Sequence, residues 1–224
     1  MTQTTARTRT RWYDDACGTA LGLELVGERW SLLIVRELMF GGRRFNELRA
    51  GLPGISANVL TQRLEGLEAS RILTRRKLPP PASAQIYELT PWGYEAETII
   101  QELGRWATRS PDHDPTLPLS AASIMLSFRT MISVERAGDL DAVIGFRFGP
   151  EAFRAHLHRG ITVRREEPAD AALVFDTDPV TLASLVYGGR PFADAEAAGV
   201  LRIAGDRALA ERFVTLFPLP PKIA

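Results

Sequence analysis

The stretch from Arg43 to Leu73, RRFNELRAGLPGISANVLTQRLEGLEASRIL, constrains the fold more than any other part of the chain. Phe45, Leu48 and Leu52 recur at helical spacing over about Phe45 to Gly51, and Pro53-Gly54 then stops the helix. Proline lacks the amide donor a helix needs, and glycine accepts the dihedrals of a turn. Ser56 stands as N-cap of a second helix to about Ala69, on which Leu60, Leu64 and Leu67 form a buried stripe. The opposite face offers Asn58, Thr61, Gln62 and Glu65, with Arg63 at its edge. Small polar side chains with paired donors and acceptors suit base edges in a major groove. Two short helices joined by a glycine-containing turn form a helix-turn-helix, although a helical hairpin with a solvated face has the same pattern.

The flanks narrow the choice. Ile72 to Leu78 reads as a strand carrying Arg75, Arg76 and Lys77; Pro79 to Ala84 is turn-rich, and Gln85 to Leu89 is a second strand. Thr90 then caps a closing helix that begins at Pro91, where proline is tolerated, and runs to about Arg109. This order predicts a winged helix-turn-helix. Arg43, Arg44, Arg63, Arg75, Arg76 and Lys77 are the expected phosphate contacts, and Ser56, Asn58, Thr61 and Gln62 are expected to face bases or the adjacent backbone. The closing helix carries Ile99, Ile100, Leu103 and Trp106 on one face. With Leu21 of the first helix, Ile99, Leu103 and Trp106 predict an isologous homodimer that presents two recognition helices to double-stranded DNA.

Several motifs occur in one order: Cys17, Ala20-Leu21, Leu25-Val26-Gly27-Glu28-Arg29-Trp30-Ser31-Leu32-Leu33-Ile34-Val35-Arg36-Glu37-Leu38, Gly42-Arg43-Arg44-Phe45-Asn46-Glu47-Leu48 and Leu52-Pro53-Gly54-Ile55-Ser56 followed by Val59-Leu60-Thr61-Gln62-Arg63-Leu64. Over about residues 14–106 the chain resembles the HxlR-type bacterial transcriptional regulators. The resemblance implies a homodimeric DNA-binding protein, often responsive to an effector or to redox state. Two features depart from the pattern: the wing is proline-rich, and Gly18 stands where a proline often follows the N-terminal cysteine.

The chain has 224 residues, enough for one large domain or two small ones. The expected division is an arm at 1–12, a winged-helix and dimerisation domain at 13–109, a linker at 110–118, a second domain at 119–217 and a tail at 218–224. Residues 1–110 carry 15 Lys+Arg against 12 Asp+Glu, whereas 111–224 carry 12 against 15, so the nucleic-acid-facing character lies in the first half. No apolar run is long enough to span a bilayer and no signal-peptide core is visible, so a cytoplasmic protein without membrane partners is expected. Cys17 is the sole cysteine, which excludes an internal disulfide.

The first helix is expected over Asp14 to Val26, and a second over Trp30 to Phe40 with Trp30, Leu33, Ile34 and Leu38 facing inward. Cys17 reads either as a small packed residue or, as the resemblance implies, as a redox sensor. Sensing needs a lowered thiol pKa; a helix N-terminus favours it and Asp14 and Asp15 oppose it.

In the second half, Leu119 to Ser133 predicts a helix. Strands are expected at 142–148, 153–158, 161–166, 172–176 and 200–204, and helices from Asp178-Pro179 to Tyr187 and over Arg207 to Phe217. The fold class is thus α+β throughout: a winged helix followed by an α+β domain with an antiparallel-rich sheet. The runs Asp176-Thr177-Asp178-Pro179 and Leu201-Arg202-Ile203-Ala204-Gly205-Asp206, each leading into a helix, are similar to sterol-carrier-protein-like domains over about 119–217. That resemblance implies an apolar cavity for acyl chains or other hydrophobic molecules, lined here by Leu126, Phe128, Phe146, Phe148, Phe153 and Leu185, unless the phenylalanines fill it themselves.

His156 and His158 share one strand face but have no cysteine or evident carboxylate cluster beside them, so neither a metal nor another cofactor is expected. A phosphate loop, a metalloprotease motif and a nucleophile elbow are all absent from the sequence, which argues against an enzyme. The expected function is a homodimeric DNA-binding regulator modulated by a hydrophobic small molecule. The alternatives are a hydrophobe carrier that uses the winged helix only to dimerise, and a repressor switched through Cys17.

Overall fold

The computed structural model describes residues 13–223; the expected arm at 1–12 lies outside them. Helix α1 (Gly18–Val26) begins four residues later than its sequence suggests. The Asp15 carboxylate accepts the Cys17 N–H at 2.8 Å, a local turn that competes with helix and leaves Cys17 as the N-cap. Helix α2 (Ser31–Leu38) buries Ile34, Val35 and Leu38, while Leu33 faces outward, contrary to expectation. A stripe through 31, 34, 35 and 38 leaves position 33 on the far side of the helix.

Helices α3 (Phe45–Ala50) and α4 (Ala57–Ala69) form the helix-turn-helix. Strands β1 (Leu73–Lys77) and β2 (Gln85–Leu89) form the antiparallel wing, in register from Leu73 opposite Leu89 to Lys77 opposite Gln85. Arg43 adds a one-residue bridge to Tyr87, with backbone bonds of 2.9 and 2.8 Å. The closing helix is interrupted: α5 (Pro91–Glu95) and α6 (Glu97–Ala107) meet at Ala96, whose N–H reaches Gly93 in a tightened turn. Thr90 caps α5, accepting the Gly93 N–H at 3.0 Å.

The second half starts with α7 (Ala121–Met131) and a short α8 (Val134–Ala137) that has no counterpart in the expectation. Strands β3 (Ala142–Phe148), β4 (Glu151–Leu157), β5 (Ile161–Arg164) and β6 (Leu173–Thr177) follow, then α9 (Pro179–Val186), an unexpected α10 (Phe192–Ala197), β7 (Leu201–Gly205) and α11 (Arg207–Phe213). The sheet order is β5-β4-β3-β6-β7. Only the β3–β6 pair is parallel, so the sheet is antiparallel-rich. Helix α11 ends four residues short of Phe217, yet Leu216 and Phe217 remain buried, and the Leu216 carbonyl accepts the Ser133 N–H at 2.8 Å.

One apolar cluster runs without a break from the winged helix into the second half. Phe40 meets Phe153 edge to face at 5.6 Å, Ser120 donates to the buried Glu37 carboxylate at 2.6 Å, and Arg129 pairs with Glu97 at 2.7 Å. Helix α7 therefore lies across α2 and α6 as well as on its own sheet.

Candidate nucleic-acid interface

Ser56 caps α4 by accepting the Val59 N–H at 3.3 Å, and burial of Leu60, Leu64 and Leu67 fixes the rotation of the helix. That rotation turns Asn58, Thr61, Gln62 and Glu65 to solvent beside the exposed Ser56. Thr61 returns its hydroxyl to the Ala57 carbonyl at 3.0 Å, whereas the side-chain amides of Asn58 and Gln62 have no partner among the described residues. These two amides keep their donor and acceptor atoms free.

The basic residues divide. Arg44 and Lys77 are exposed and make no ion pair among the described residues. Arg75 is bound to Glu68, with contacts of 2.5 and 2.7 Å that lower the Glu68 carboxyl pKa and raise that of Arg75. Arg76 pairs with Glu88 at 2.9 Å. Arg63 is anchored to Glu28 at 2.6 Å and to the Arg29 carbonyl at 3.1 Å, so it ties α4 to the α1–α2 junction. Arg43 corrects the expectation of a phosphate contact. Its side chain is 8% exposed and bonds Glu151 of the second half at 2.5 Å. Adjacent residues in extended backbone point to opposite sides, which sends Arg43 inward and Arg44 outward.

Ile99, Leu103 and Trp106 of α6 are 57, 46 and 71% exposed, and Leu21 of α1 is 47% exposed; none is covered by the described residues. Cys17 is exposed at the N-cap of α1. The Thr19 amide, the Thr19 side chain and the Ala20 amide lower its thiol pKa.

The expected lining of an apolar cavity is found packed together. Leu126, Phe128, Phe146, Phe148, Phe153 and Leu185 are all buried. Phe128 lies against Phe146, Phe213 and Phe217 at 5.8, 5.3 and 4.5 Å, and Phe146 stacks on Phe175 at 5.7 Å. Of the six, Phe148 borders an open cleft of about 390 Å³ shared with Arg43, Gly51, Ser120 and Pro179. His156 and His158 do have a carboxylate neighbour that the sequence did not reveal: Asp141 hydrogen-bonds both, at 2.7 and 3.0 Å. Among the described residues no group of three or more acidic, histidine or cysteine side chains is placed to hold a metal.

Three residues of structural weight escaped the sequence reading. Glu37 is 1% exposed and held by Arg36 and Ser120; its signal was a carboxylate three residues from Ile34, on the apolar side of α2. Glu151 reaches back to Arg43 over 108 residues and holds Arg165 on the same carboxylate oxygen, and no local pattern marks either.

A family model described as HxlR-like helix-turn-helix matches residues 25–115, a span that ends before α7. The chain is 40% identical over 83 residues to the HTH-type transcriptional regulator YodB of Bacillus subtilis (strain 168), an overlap of 37% of this chain and 74% of that protein. It is 36% identical over 86 residues to the uncharacterized HTH-type transcriptional regulator YvaP of the same organism, covering 38% of this chain and 80% of the relative. The solved reduced form of YodB from B. subtilis is 34% identical, with 45% of this chain and 100% of that chain covered at a TM-score of 0.40. Through its first half, this chain belongs to the HxlR-like helix-turn-helix family.

Proposed function

We propose that the protein is a DNA-binding transcriptional regulator that acts as a homodimer in the cytoplasm. The observation that carries this reading is the outer face of α4, where Asn58 and Gln62 are exposed and uncommitted while the opposite face is locked into the core. Arg44 and Lys77 are exposed cations without an ion pair among the described residues, and Arg75 and Arg76 reach phosphates by exchanging their half-buried carboxylate partners. The regulators of B. subtilis to which the first half is similar support the same assignment. Subunits pair through Ile99, Leu103 and Trp106 with Leu21, an apolar set whose exposure has no use in a monomer.

We also assign the second half to a sterol-carrier-like architecture, a reading supported by Asp178 and Asp206, each capping a helix directly after its strand. Its interior is filled by its own phenylalanines, so the reading of a hydrophobe carrier loses the cavity on which it depended. A thiol switch at Cys17 is a second reading. It is favoured by an exposed sulfur at a helix N-terminus, where the amides stabilise the thiolate.

Selection from a randomised duplex pool tests the main reading. A two-fold symmetric site is expected, with half-sites one helical turn apart and affinity falling steeply with salt. Gln62→Ala is expected to weaken the selected site by about 1–3 kcal/mol and to leave binding to unrelated duplex unchanged. A pool without enrichment, together with salt-independent binding, would sink the assignment.

A further inference from the structure

A cleft of about 520 Å³ opens between the winged helix and the second half, walled by Gly42, Arg43, Glu47 and Ala50 on one side and by Pro150–Ala152 and Arg165–Glu167 on the other. Its floor is cationic. The Arg43 side chain is 8% exposed and that of Arg165 19%, and both turn to one carboxylate: Glu151 Oε2 lies 2.5 Å from Arg43 Nη1 and 3.4 Å from Arg165 Nε. Arg165 also donates through Nη1 to the Phe40 carbonyl at 3.3 Å and lies over the Phe153 ring at 5.1 Å. Arg43 Nε, Arg165 Nε and Arg165 Nη2 are buried without a hydrogen-bond partner among the described residues. Buried guanidinium N–H groups without acceptors are costly, and here two like charges share one close carboxylate, Glu151, with the exposed Glu47 reaching Arg43 Nε only at 3.7 Å. Burial and the positive charge of Arg43 both make the protonated form of Arg165 harder to hold.

The rim has the opposite sign. Glu47, Glu166 and Glu167 are exposed. Glu166 lies 4.0 Å from Arg154 and Glu167 3.6 Å from Arg147, contacts too long to neutralise them tightly, and Glu47 spends one oxygen on the Arg44 N–H. A simple anion is attracted by the floor and repelled by the rim, and a simple cation meets the reverse. An uncharged hydrophobe satisfies neither, and the volume lies in the range of small-molecule sites.

We propose that this cleft binds a small zwitterion, an aminocarboxylate, whose carboxylate accepts from Arg43 and Arg165 while its ammonium donates to the Glu47, Glu166 and Glu167 rim. A rotation of the part-exposed Arg165 brings Nη2 to the cleft surface, and the carboxylate then supplies the acceptor that Glu151 cannot. The cleft walls belong to α3, the first helix of the helix-turn-helix, and to the start of β4 and the segment after β5, so occupancy sets the placement of the DNA-reading head against the second half. That consequence rests on the regulator reading; the binding itself does not.

The experiment uses the full chain without DNA, following thermal unfolding and calorimetric titration. The probes are the common α-amino acids and the ω-aminocarboxylates up to 6-aminohexanoate, with hexanoate and hexylamine as the singly charged controls. At least one zwitterion is expected to raise the melting temperature saturably and to bind more tightly than both controls. Arg165→Gln is expected to weaken that binding by about tenfold or more, the loss of a charge-assisted bond. Should Arg165→Gln unfold, the exposed double variant Glu166→Gln/Glu167→Gln removes the ammonium partners and is expected to narrow the zwitterion's advantage over hexanoate several-fold. The proposal is overturned if no zwitterion binds, if hexanoate or hexylamine binds as tightly as every zwitterion, or if a folded variant retains full affinity. Binding that leaves DNA affinity unchanged would overturn only the link to regulation.

Discussion

Glu151→Gln is the substitution that best separates the physics of the seam from that of the rest of the surface. The variant preserves shape and removes one charge. In the parent, one carboxylate oxygen lies 2.5 Å from Arg43 Nη1 and 3.4 Å from Arg165 Nε, and the three side chains are 28, 8 and 19% exposed. Breaking a fully buried pair costs about 3–5 kcal/mol, mostly because the remaining charge is stranded. Partial exposure of Glu151 allows solvent to screen part of that, which brings the expected loss to about 2–3 kcal/mol. For a chain of this length the fall in melting temperature is roughly 4–12 °C. Urea unfolding followed by circular dichroism measures it, with the slope checked for constancy. Glu47→Gln is the internal control: at 3.7 Å from Arg43 and 46% exposed, it is expected to cost under about 0.5 kcal/mol. The double variant Glu151→Gln/Arg165→Gln is expected to lose less than the sum of the singles, because it strands one guanidinium instead of two. A Glu151→Gln protein within about 0.5 kcal/mol of the parent, or a Glu47→Gln protein equally weakened, refutes the picture of a buried, charge-starved seam.

Phe128→Ala removes the ring on which Phe146, Phe213 and Phe217 converge and is expected to cost about 3–5 kcal/mol in the same unfolding assay; a loss below about 1 kcal/mol would mean that the core is loose enough to admit a ligand after all. Alkylation of Cys17 followed against pH is expected to show a midpoint below the ordinary thiol value, and Thr19→Val to move it upward by removing a side-chain donor; an unshifted midpoint in the parent would end the thiol-switch reading. Asp170 is held down to about 2 by Arg154, so its contribution is fully present above the ordinary carboxylate range and disappears as pH falls through about 2. Carboxyl NMR titration is expected to show that midpoint, and Arg154→Gln to return it toward 3.8; a normal value in the parent contradicts the bidentate pair, whose bonds are 2.8 and 2.7 Å.

Local chemistry made much of this architecture readable. Pro53-Gly54, the Ser56 cap, the Thr90-Pro91 start and the alternation Phe153, Ala155, Leu157 each act within a few residues, and the structure follows them. The misses have local causes too. Helix α10 buries only Ala195 and α8 only Ala137, so neither has a stripe to recognise. The break at Ala96 has no proline or glycine at its hinge to announce it. In the site, the α4 face followed from helical phase alone, whereas the separate fates of Arg43 and Arg44 depend on which side of an extended segment meets the second half. Glu151, which decides the matter for Arg43, lies 108 residues further on.

The unbroken core has a practical consequence for anyone dividing the molecule. Residues 111–118 look like a place to cut, being exposed and rich in proline. Cutting there would uncover Phe40, leave Arg43 without Glu151 and deprive Glu37 of Ser120. The excised head would keep its recognition helix yet present raw interior along one flank. It is expected to aggregate or adopt a new partner instead of reporting how the intact protein reads DNA. The second half is therefore part of the winged helix's own solvent shield, and a study of either piece in isolation would require redesigning the flank that the other one covers.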